Sequence, residues 1–528
     1  MRRVTWLVAL AAAVALALPS GGWASVMQAV ARPAPDFNND GFGDLAVGAP
    51  GEEVRGKANA GAVNVLYGSA TGLTSNGEIF DQNSRGVPGL VEAGDQFGAA
   101  LVAGRFNGDA FWDLAVGAPG EDVGTKANAG AVTILFGSRT GLRGGSPRSL
   151  IQKRPEPGDR FGFSLAVGEI SGTARAELVV GAPGETIGRA RRAGAVNVID
   201  NPAGNAPSQE VLHQGKGMSG SPERDDNFGW DIVANDFMSA KGKDSLAVGV
   251  PGEDVRRTVD AGVVNIRYAA PSRSRRLLVL TQNRPERGDR FGAALGDGVI
   301  DQANGTVDLA VGAPGETVTG RRNAGAVSIV KNNNSGFQAG SVVFYQGRDG
   351  VQGRPEAGDR FGAAVAVGAY GRNLGGLALG GLAVGIPGED VGSVVDAGAL
   401  AVLYGMSSFG QQLLTQTQAG HPFEARDRFG AALSEPFRVK PGLHEDLAVG
   451  SPGETVRGQA GAGAVSVLVA KPRGGLRAGQ FFYQGLRKQT LRVGGTPEAG
   501  DAFGAALPSG GRPTPAPPDR RTPPPPPV

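Results

Sequence analysis

The sequence predicts an all-β protein, a seven-bladed β-propeller of four-stranded antiparallel blades. Two short sequence elements alternate along most of the chain, and each of them occurs seven times. Between them lie short runs of small and β-branched residues that are typical of strands. Glycine makes up 88 of the 528 residues, whereas its usual share is about 7%. Many short strands joined by glycine-rich turns and repeated radially indicate a propeller.

The first element is Gly-x-Pro-Gly-Glu, which ends a strand of the Leu-Ala-Val type. After a loop comes a further strand such as Gly61–Val65, in which apolar and small polar residues alternate. This alternation is typical of a half-buried strand. The seven copies of the element begin at Gly48, Gly117, Gly181, Gly249, Gly312, Gly385 and Gly450.

The second element is Phe-Gly, which follows a turn such as Glu92–Asp95 and begins a strand of small residues such as Ala99–Ala103. A variable stretch that often holds a Gln, such as Leu150–Gln152, supplies the fourth strand. Strands crowded at the axis need small side chains, so we expect Ala and Gly there. The seven copies begin at Phe97, Phe161, Phe228, Phe291, Phe361, Phe429 and Phe503.

The order of the elements predicts how the ring closes. The first Leu-Ala-Val strand has no Phe-Gly strand before it, and Phe503–Leu507 has no Gly-x-Pro strand after it. We therefore expect the C-terminal strand to pair with the N-terminal blade, so that residues 36–507 form the propeller. This closure would leave no open sheet edge in the ring.

The two ends of the chain read as segments outside the propeller. Arg2 and Arg3 precede the apolar run Trp6–Leu18, and small residues follow, which indicates a signal peptide over residues 1–24. A membrane anchor, the alternative, would need about 20 apolar residues. Residues 25–35 are predicted to be a linker and residues 508–528 a Pro-rich tail, either a spacer towards the cell wall or a disordered end.

These features predict a secreted protein, extracellular or associated with a cell wall, that does not enter a membrane once the signal is removed. The sequence has no cysteine, which excludes disulfides and thiolate metal sites. The formal net charge of +2 gives no field that would favour nucleic acid.

A candidate calcium loop stands directly before the first Leu-Ala-Val strand. Its ligands would be Asp36, Asn38, Asp40 and Asp44 at loop positions 1, 3, 5 and 9, with the carbonyl of Phe42 at position 7. Position 6 is a glycine, which a sharp turn requires, and such alternating oxygen donors suit calcium. The alternative is a turn that is merely rich in Asp and Asn.

These elements resemble the FG-GAP repeat family, the units of the integrin α-subunit N-terminal propeller, over residues 36–507. The resemblance implies seven blades, calcium loops on the lower face and ligand contacts on the upper face. It fits secreted bacterial members, and adhesion through an integrin β partner is not implied.

The calcium loop that the resemblance implies keeps its full ligand set only in the first copy. In the second, Arg105 stands at position 1, where we expect its guanidinium to replace the cation, and the other five are expected to be plain turns.

The recurring carboxylates are expected to be structural rather than catalytic. The Asp before each Phe-Gly and the Glu of each Pro-Gly-Glu would cap N–H groups of turns. Arg287–Asp289 spells Arg-Gly-Asp, and we interpret it as a repeat variant. Basic pairs such as Arg191–Arg192, Arg256–Arg257 and Arg321–Arg322 alternate with acidic residues on this upper face, which is the candidate ligand surface.

Two functions remain open from the sequence. The first is a non-enzymatic binding or adhesion module, a monomer that binds an extracellular protein or glycan. The second is a hydrolase or lyase acting on polysaccharide, which would need unrepeated carboxylates or aromatic residues near the axis. The fold does not decide between them.

Overall fold

The computed structural model describes residues 35–510, apart from residues 75–77, 144, 173–175, 239–242, 270–276, 301–305, 334–335, 339, 371–372, 375–376, 379, 405–409, 441–444, 472–473 and 489–490. The predicted signal peptide, residues 25–34 of the predicted linker and the Pro-rich tail from residue 511 lie outside these residues. Within them, no helix has the length and hydropathy of a membrane span.

Seven sheets make up the blades, and the fold is the all-β propeller that the sequence predicts. Blade 1 holds β1 (Leu45–Ala49), β2 (Ala62–Leu66) and β3 (Ile79–Phe80). Blade 2 holds β4 (Ala100–Gly104), β5 (Asp113–Ala118), β6 (Ala131–Leu135) and β7 (Arg148–Leu150). Blade 3 holds β8 (Ser164–Gly168), β9 (Glu177–Ala182), β10 (Ala195–Asp200), β11 (Ser208–Gln214) and β12 (Gly217–Met218).

The remaining blades follow the same order. Blade 4 holds β13 (Ile232–Asn235), β14 (Ser245–Val250), β15 (Val263–Arg267) and β16 (Leu277–Leu280). Blade 5 holds β17 (Ala294–Gly298), β18 (Asp308–Ala313), β19 (Ala326–Val330) and β20 (Val342–Phe344). Blade 6 holds β21 (Ala364–Gly368), the small hairpin β22 (Asn373–Leu374) and β23 (Leu377–Ala378), then β24 (Gly381–Ile386), β25 (Ala399–Tyr404) and β26 (Gly410–Leu414). Blade 7 holds β27 (Ala432–Leu433), β28 (Leu447–Ser451), β29 (Ala464–Ala470) and β30 (Leu476–Phe482). A hairpin of β31 (Arg487–Lys488) and β32 (Leu491–Arg492) and the last strand, β33 (Ser509–Gly510), complete the chain.

Neighbouring blades pack face to face, and each of the seven interfaces has its own apolar cluster. Because both faces of a blade are covered, the second strands β5 and β9 are buried at every residue. Close backbone approach requires glycine in these strands. A Cβ added to Gly117 of blade 2 would lie 2.0 Å from the Gly162 carbonyl oxygen of blade 3.

The C-terminal segment completes blade 1, which confirms the predicted closure. The N–H of Gly504 donates to the carbonyl of Gly48 at 2.8 Å, and the N–H of Gly48 donates to the carbonyl of Ala506 at 3.0 Å. Blade 2 makes the bond equivalent to the first of these between Gly98 and Gly117, at 2.9 Å. The segment also reaches further than predicted, because β33 pairs in parallel with β4 of blade 2.

Candidate functional site

The candidate calcium loop lies before β1, at the opposite end of the blade from the Pro-Gly-Glu loop. Its carboxylates fold the loop by accepting backbone hydrogen bonds. Asp36 accepts from the N–H of Asp40 at 3.1 Å and of Gly41 at 2.8 Å, and Asp40 accepts from the N–H of Phe42 at 3.0 Å. The side-chain amide of Asn38 donates to Asp40 at 3.0 Å. These are the local bonds expected of Asp and Asn in tight turns.

Asp44 ties the loop to the body of blade 1. It is 1% exposed, and its two carboxylate oxygens accept from the N–H of Phe37 at 2.7 Å and of Gly68, beyond β2, at 2.8 Å. In blade 2, Asp113 accepts from Phe106 at 2.9 Å and from Gly137 at 3.0 Å. The last acid of the loop therefore has a structural role that sequence reasoning missed. The sequence signal for this role was a constant spacing: the residue whose N–H donates lies 24 positions after the aspartate in four blades.

Burial and mutual repulsion of its carboxylates give the loop an electrostatic cost. Burial raises the pKa of Asp44 to about 8, although its backbone hydrogen bonds oppose the change, and the carboxylates of Asp36 and Asp40 raise it further. Burial also raises the pKa of Asp36, and the neighbouring Asp40 adds to this effect. A divalent cation among the three carboxylates would offset both burial and mutual repulsion.

The donor set fits calcium by its chemistry, because Asp36, Asn38, Asp40, Asp44 and the Phe42 carbonyl all offer hard oxygen atoms. In the conformation described, these carboxylates face backbone N–H groups. Among residues 35–510, outside the gaps given above, no group of three or more His, Asp or Glu side chains is arranged to hold a metal ion. Coordination by the full set therefore requires the exposed Asp40 and its neighbours to turn inward.

The prediction that an arginine fills the second loop is wrong. The Arg105 guanidinium lies over the ring of Trp112, 5.5 Å from its centroid. In the part of the chain that the structure describes, it forms no ion pair with Asp109 or Asp113. The physical reason is that Asp113 is already saturated by backbone N–H groups, while the indole face offers a cation–π contact.

The Asp before each Phe-Gly caps a turn, as predicted. The Asp95 carboxylate accepts from the N–H of Glu92 at 2.6 Å. The other six aspartates that make this bond are Asp159, Asp226, Asp289, Asp359, Asp427 and Asp501. The aspartate of the Arg-Gly-Asp tripeptide is one of them and is fully buried. Burial raises the pKa of Asp159 to about 7 and of Asp95 to about 6.

The Glu of each Pro-Gly-Glu does not cap a turn, which corrects the prediction. It accepts a hydrogen bond from a Gln side chain at the end of the preceding blade, as in Gln152 Nε2 to Glu185 at 2.8 Å. We call these contacts Gln–Glu clasps. The others are Gln82–Glu121, Gln214–Glu253, Gln282–Glu316, Gln346–Glu389, Gln416–Glu454 and Gln484–Glu52. The carboxylate has this role because it lies between two blades, within reach of the Gln side chain of the preceding one. Burial raises the pKa of Glu52 and of Glu454 to about 8.

The channel along the axis holds a cavity of about 270 Å³ lined by strands from all seven blades. The expectation that only Ala and Gly line it is wrong. Phe163 and Trp230 line it directly after Phe-Gly, at the upper end of the channel, with ring centroids 4.7 Å apart. Asp231 follows Trp230, and Asp297 and Glu435 line the cavity further along their chain segments. Seven blades leave a central space, so a side chain that points along the axis is not limited by the adjacent blade.

Asp231 is held by two backbone hydrogen bonds within the channel. Its carboxylate accepts from the N–H of Leu295 at 2.7 Å and of Ile232 at 2.8 Å. Burial raises its pKa to about 7, and the carboxylate of Glu435 across the channel raises it further. This residue has no counterpart in the other copies of the repeat, and sequence reasoning did not single it out.

The sequence matches the FG-GAP repeat family over residues 33–66 and 97–135. These two segments carry FG-GAP repeats. Its propeller is similar to part of phosphatidylinositol-glycan-specific phospholipase D of Bos taurus, with 34% identity over 153 residues, which cover 29% of this chain and 18% of the bovine protein. It is also similar to integrin alpha-PS5 of Drosophila melanogaster, with 34% identity over 157 residues, which cover 29% of this chain and 14% of the integrin.

The matched segment of this chain thus spans less than a fifth of either relative. Among solved structures, the fold of this chain is similar to that of BBS1N, which was solved in a complex with ARL6DN. The TM-score is 0.42 and the sequence identity is 11%, and the match covers 85% of this chain and 96% of the BBS1N chain. That score is too low to add to the description of the fold.

The upper face of the propeller carries the turns before Phe-Gly and the Pro-Gly-Glu loops. The two are joined by backbone hydrogen bonds such as that from the Gly120 N–H to the Asp95 carbonyl at 3.1 Å. The residue directly before each Phe-Gly has a left-handed backbone in every blade. These seven residues are Gln96, Arg160, Asn227, Arg290, Arg360, Arg428 and Ala502, with φ between 54° and 59°. Four of them are arginines, and we call these four the arginine rim.

Proposed function

We propose that this FG-GAP propeller is a secreted, non-enzymatic binding or adhesion module that acts as a monomer and holds an extracellular protein or glycan on its upper face. The main support is the use of the recurring carboxylates. The seven turn aspartates and the seven clasp glutamates are engaged in the scaffold. What the upper face exposes instead is mixed charge, including Arg191, Arg256 and Arg321.

A direct test is to immobilise the purified chain and present cell-surface extract of the producing organism, with and without a chelator. We expect capture of a protein or glycan that weakens when calcium is removed. The heat-unfolded chain serves as the control. Failure to retain any component at any calcium concentration would contradict the proposal.

Calcium is proposed for the first loop only. Titration calorimetry should give binding with a dissociation constant of about 10⁻⁴ to 10⁻³ M, as in other extracellular modules. Asp40→Ala should weaken it tenfold or more, because it removes a carboxylate that has no structural hydrogen bond outside the loop. Asp109→Ala, at the same position of the second loop, is the matched control and should leave binding unchanged. Equal affinity in Asp40→Ala would refute this site.

A second candidate function is a polysaccharide hydrolase or lyase, and one observation favours it. The carboxylates of Asp231 and Glu435 line the same axial cavity as the rings of Phe163 and Trp230, and most copies of the repeat carry no acid at either position. A pair of carboxylates in one cavity is the arrangement that acid–base chemistry on a glycosidic bond requires. Release of reducing ends from a panel of polysaccharides, abolished in Asp231→Asn, would favour this candidate over the binding module.

A further inference from the structure

We infer that the arginine rim and the aromatic pair at the channel mouth form a site for an acidic polysaccharide, that is, a sugar chain bearing carboxylates or sulfates. The inference rests on the proposed binding function and names its ligand class. It is carried by the position of the rim arginines, by their lack of acidic partners and by the two aromatic rings of blades 3 and 4, one of which contacts Arg160.

The backbone places the rim at the edge of the channel. The carbonyl of each rim arginine accepts from the N–H of the residue three positions later, as in Phe163 N–H to Arg160 at 3.1 Å and Ala363 N–H to Arg360 at 2.9 Å. Both of these later residues line the axial cavity. Each rim N–H in turn donates to a loop of the preceding blade, as in Arg290 to Asp260 at 3.2 Å. Hydrogen bonds of both the N–H and the carbonyl therefore hold the left-handed backbone of each rim arginine in place.

The rim guanidinium groups have no acidic partner of their own. Arg290, Arg360 and Arg428 are exposed. In the stretches that the structure describes, none of the three has a carboxylate oxygen within 4.0 Å, although the same turns carry exposed glutamates. The aspartate next to each of them is buried and turned to the N–H of its own turn, as at Asp289. Three guanidinium groups without a carboxylate partner thus lie at equivalent positions of the consecutive blades 5, 6 and 7.

The fourth rim arginine, Arg160, contacts the aromatic pair directly. The Arg160 guanidinium lies over the Phe163 ring, 4.7 Å from its centroid, and that ring is tilted by 52° against Trp230. In the blades that lack an aromatic residue, this position is alanine, so the large rings are confined to the side of blades 3 and 4. They are partly exposed, and aromatic faces of this kind combine apolar contact with an adjacent polar group.

The chemistry favours a sugar polymer over other anions. A guanidinium fork matches a carboxylate or sulfate with two parallel hydrogen bonds. Guanidinium groups on separate blades can each bind one of the anionic groups spaced along a sugar chain. The aromatic pair can contact the apolar face of a pyranose. Nucleic acid is instead held by a basic stripe along a groove, and its binding is dominated by phosphate contacts.

The test is calorimetry with oligogalacturonate as the acidic probe and maltoheptaose as its neutral match. We expect only the acidic sugar to bind. The triple variant Arg290→Gln, Arg360→Gln, Arg428→Gln should lower its affinity tenfold or more. Glutamine fits this backbone because Gln96 occupies the equivalent position with φ 56°. A double variant Phe163→Ala, Trp230→Ala should lower it threefold or more.

The control triple Arg85→Gln, Arg139→Gln, Arg477→Gln makes the same change of charge at exposed sites away from the rim. It should change affinity less than twofold, with all variants matching the intact chain in melting temperature. An equal loss in the control, or equal affinity for oligothymidylate, would overturn the inference. If the chain captures a protein or a neutral glycan and the rim variant is without effect, the inference fails while the proposed function stands. If the chain captures no ligand at all, both the inference and the proposed function are contradicted.

Discussion

A chain that ends after Ala502 is expected to melt about 10 °C or more below the intact chain, or to fail to fold. The truncation removes the fully buried Phe503 and both backbone bonds that join the last segment to Gly48. It also exposes the edge of β1, and unpaired edges promote association with other chains. Burying one Phe side chain contributes about 1.5–3 kcal/mol by itself. A few kcal/mol already shift a melting temperature by several degrees.

Two further variants isolate the cause of this loss. A chain that ends after Gly510 keeps every strand in the description and should melt like the intact chain. Phe503→Ala should cost about 3–5 kcal/mol, the usual range for removing a buried Phe. The matched change Phe361→Ala, in the middle of the ring, should cost the same. Unchanged melting in the Ala502 truncation would show that blade 1 does not need its C-terminal strand.

Stability is expected to fall as the pH rises from 5 to 8, with a drop in melting temperature of about 5 °C when a chelator is present. Burial raises the pKa of Asp289 to about 7 and of Glu52 to about 8 in the folded chain. The same groups titrate near 4 when the chain is unfolded. Between these values the folded chain binds more protons than the unfolded chain, so the free energy of unfolding decreases as protons are removed. The decrease should end above about pH 8, where both states are deprotonated.

The variant Glu52→Gln tests the origin of this dependence. An amide at this position keeps a hydrogen-bonding partner for Gln484 but cannot ionise. The variant should therefore melt higher than the intact chain at pH 8 and show a smaller change with pH. Glu53→Gln, at the exposed neighbouring position, is the control and should follow the intact chain. A melting temperature that rises with pH would contradict the assigned shifts.

The blades were predictable because their signals are local and repeated. Each Phe-Gly and Gly-x-Pro marks a strand whose glycine touches the next blade, so seven copies of the pair indicate seven interfaces. The closing strand followed from the order of the same elements, without any knowledge of contacts. The turn role of Asp95 and its counterparts was also local, since the donor lies three residues before the carboxylate.

What sequence reasoning missed depends on contacts between blades. A clasp joins residues 33 apart at Gln152–Glu185 and 432 apart at Gln484–Glu52. Both partners recur visibly, but only the packing of two sheets brings them together. Arg105 was misjudged for a different reason: its partner, Trp112, lies in the same loop, but the repeat pattern does not show a cation–π contact. The acidic and aromatic residues of the channel differ from the residues at the same positions of most other repeats. An analysis of repeated residues does not show which of these differing residues line one cavity.

Hydrogen exchange of the intact chain tests the closed ring most directly. The Gly504 N–H should be protected to the same degree as the equivalent N–H groups of Gly98, Gly162, Gly229, Gly292, Gly362 and Gly430, because all seven donate to a glycine carbonyl of the second strand. Rapid exchange at Gly504 with slow exchange at the other six would show an open ring and contradict the composite first blade.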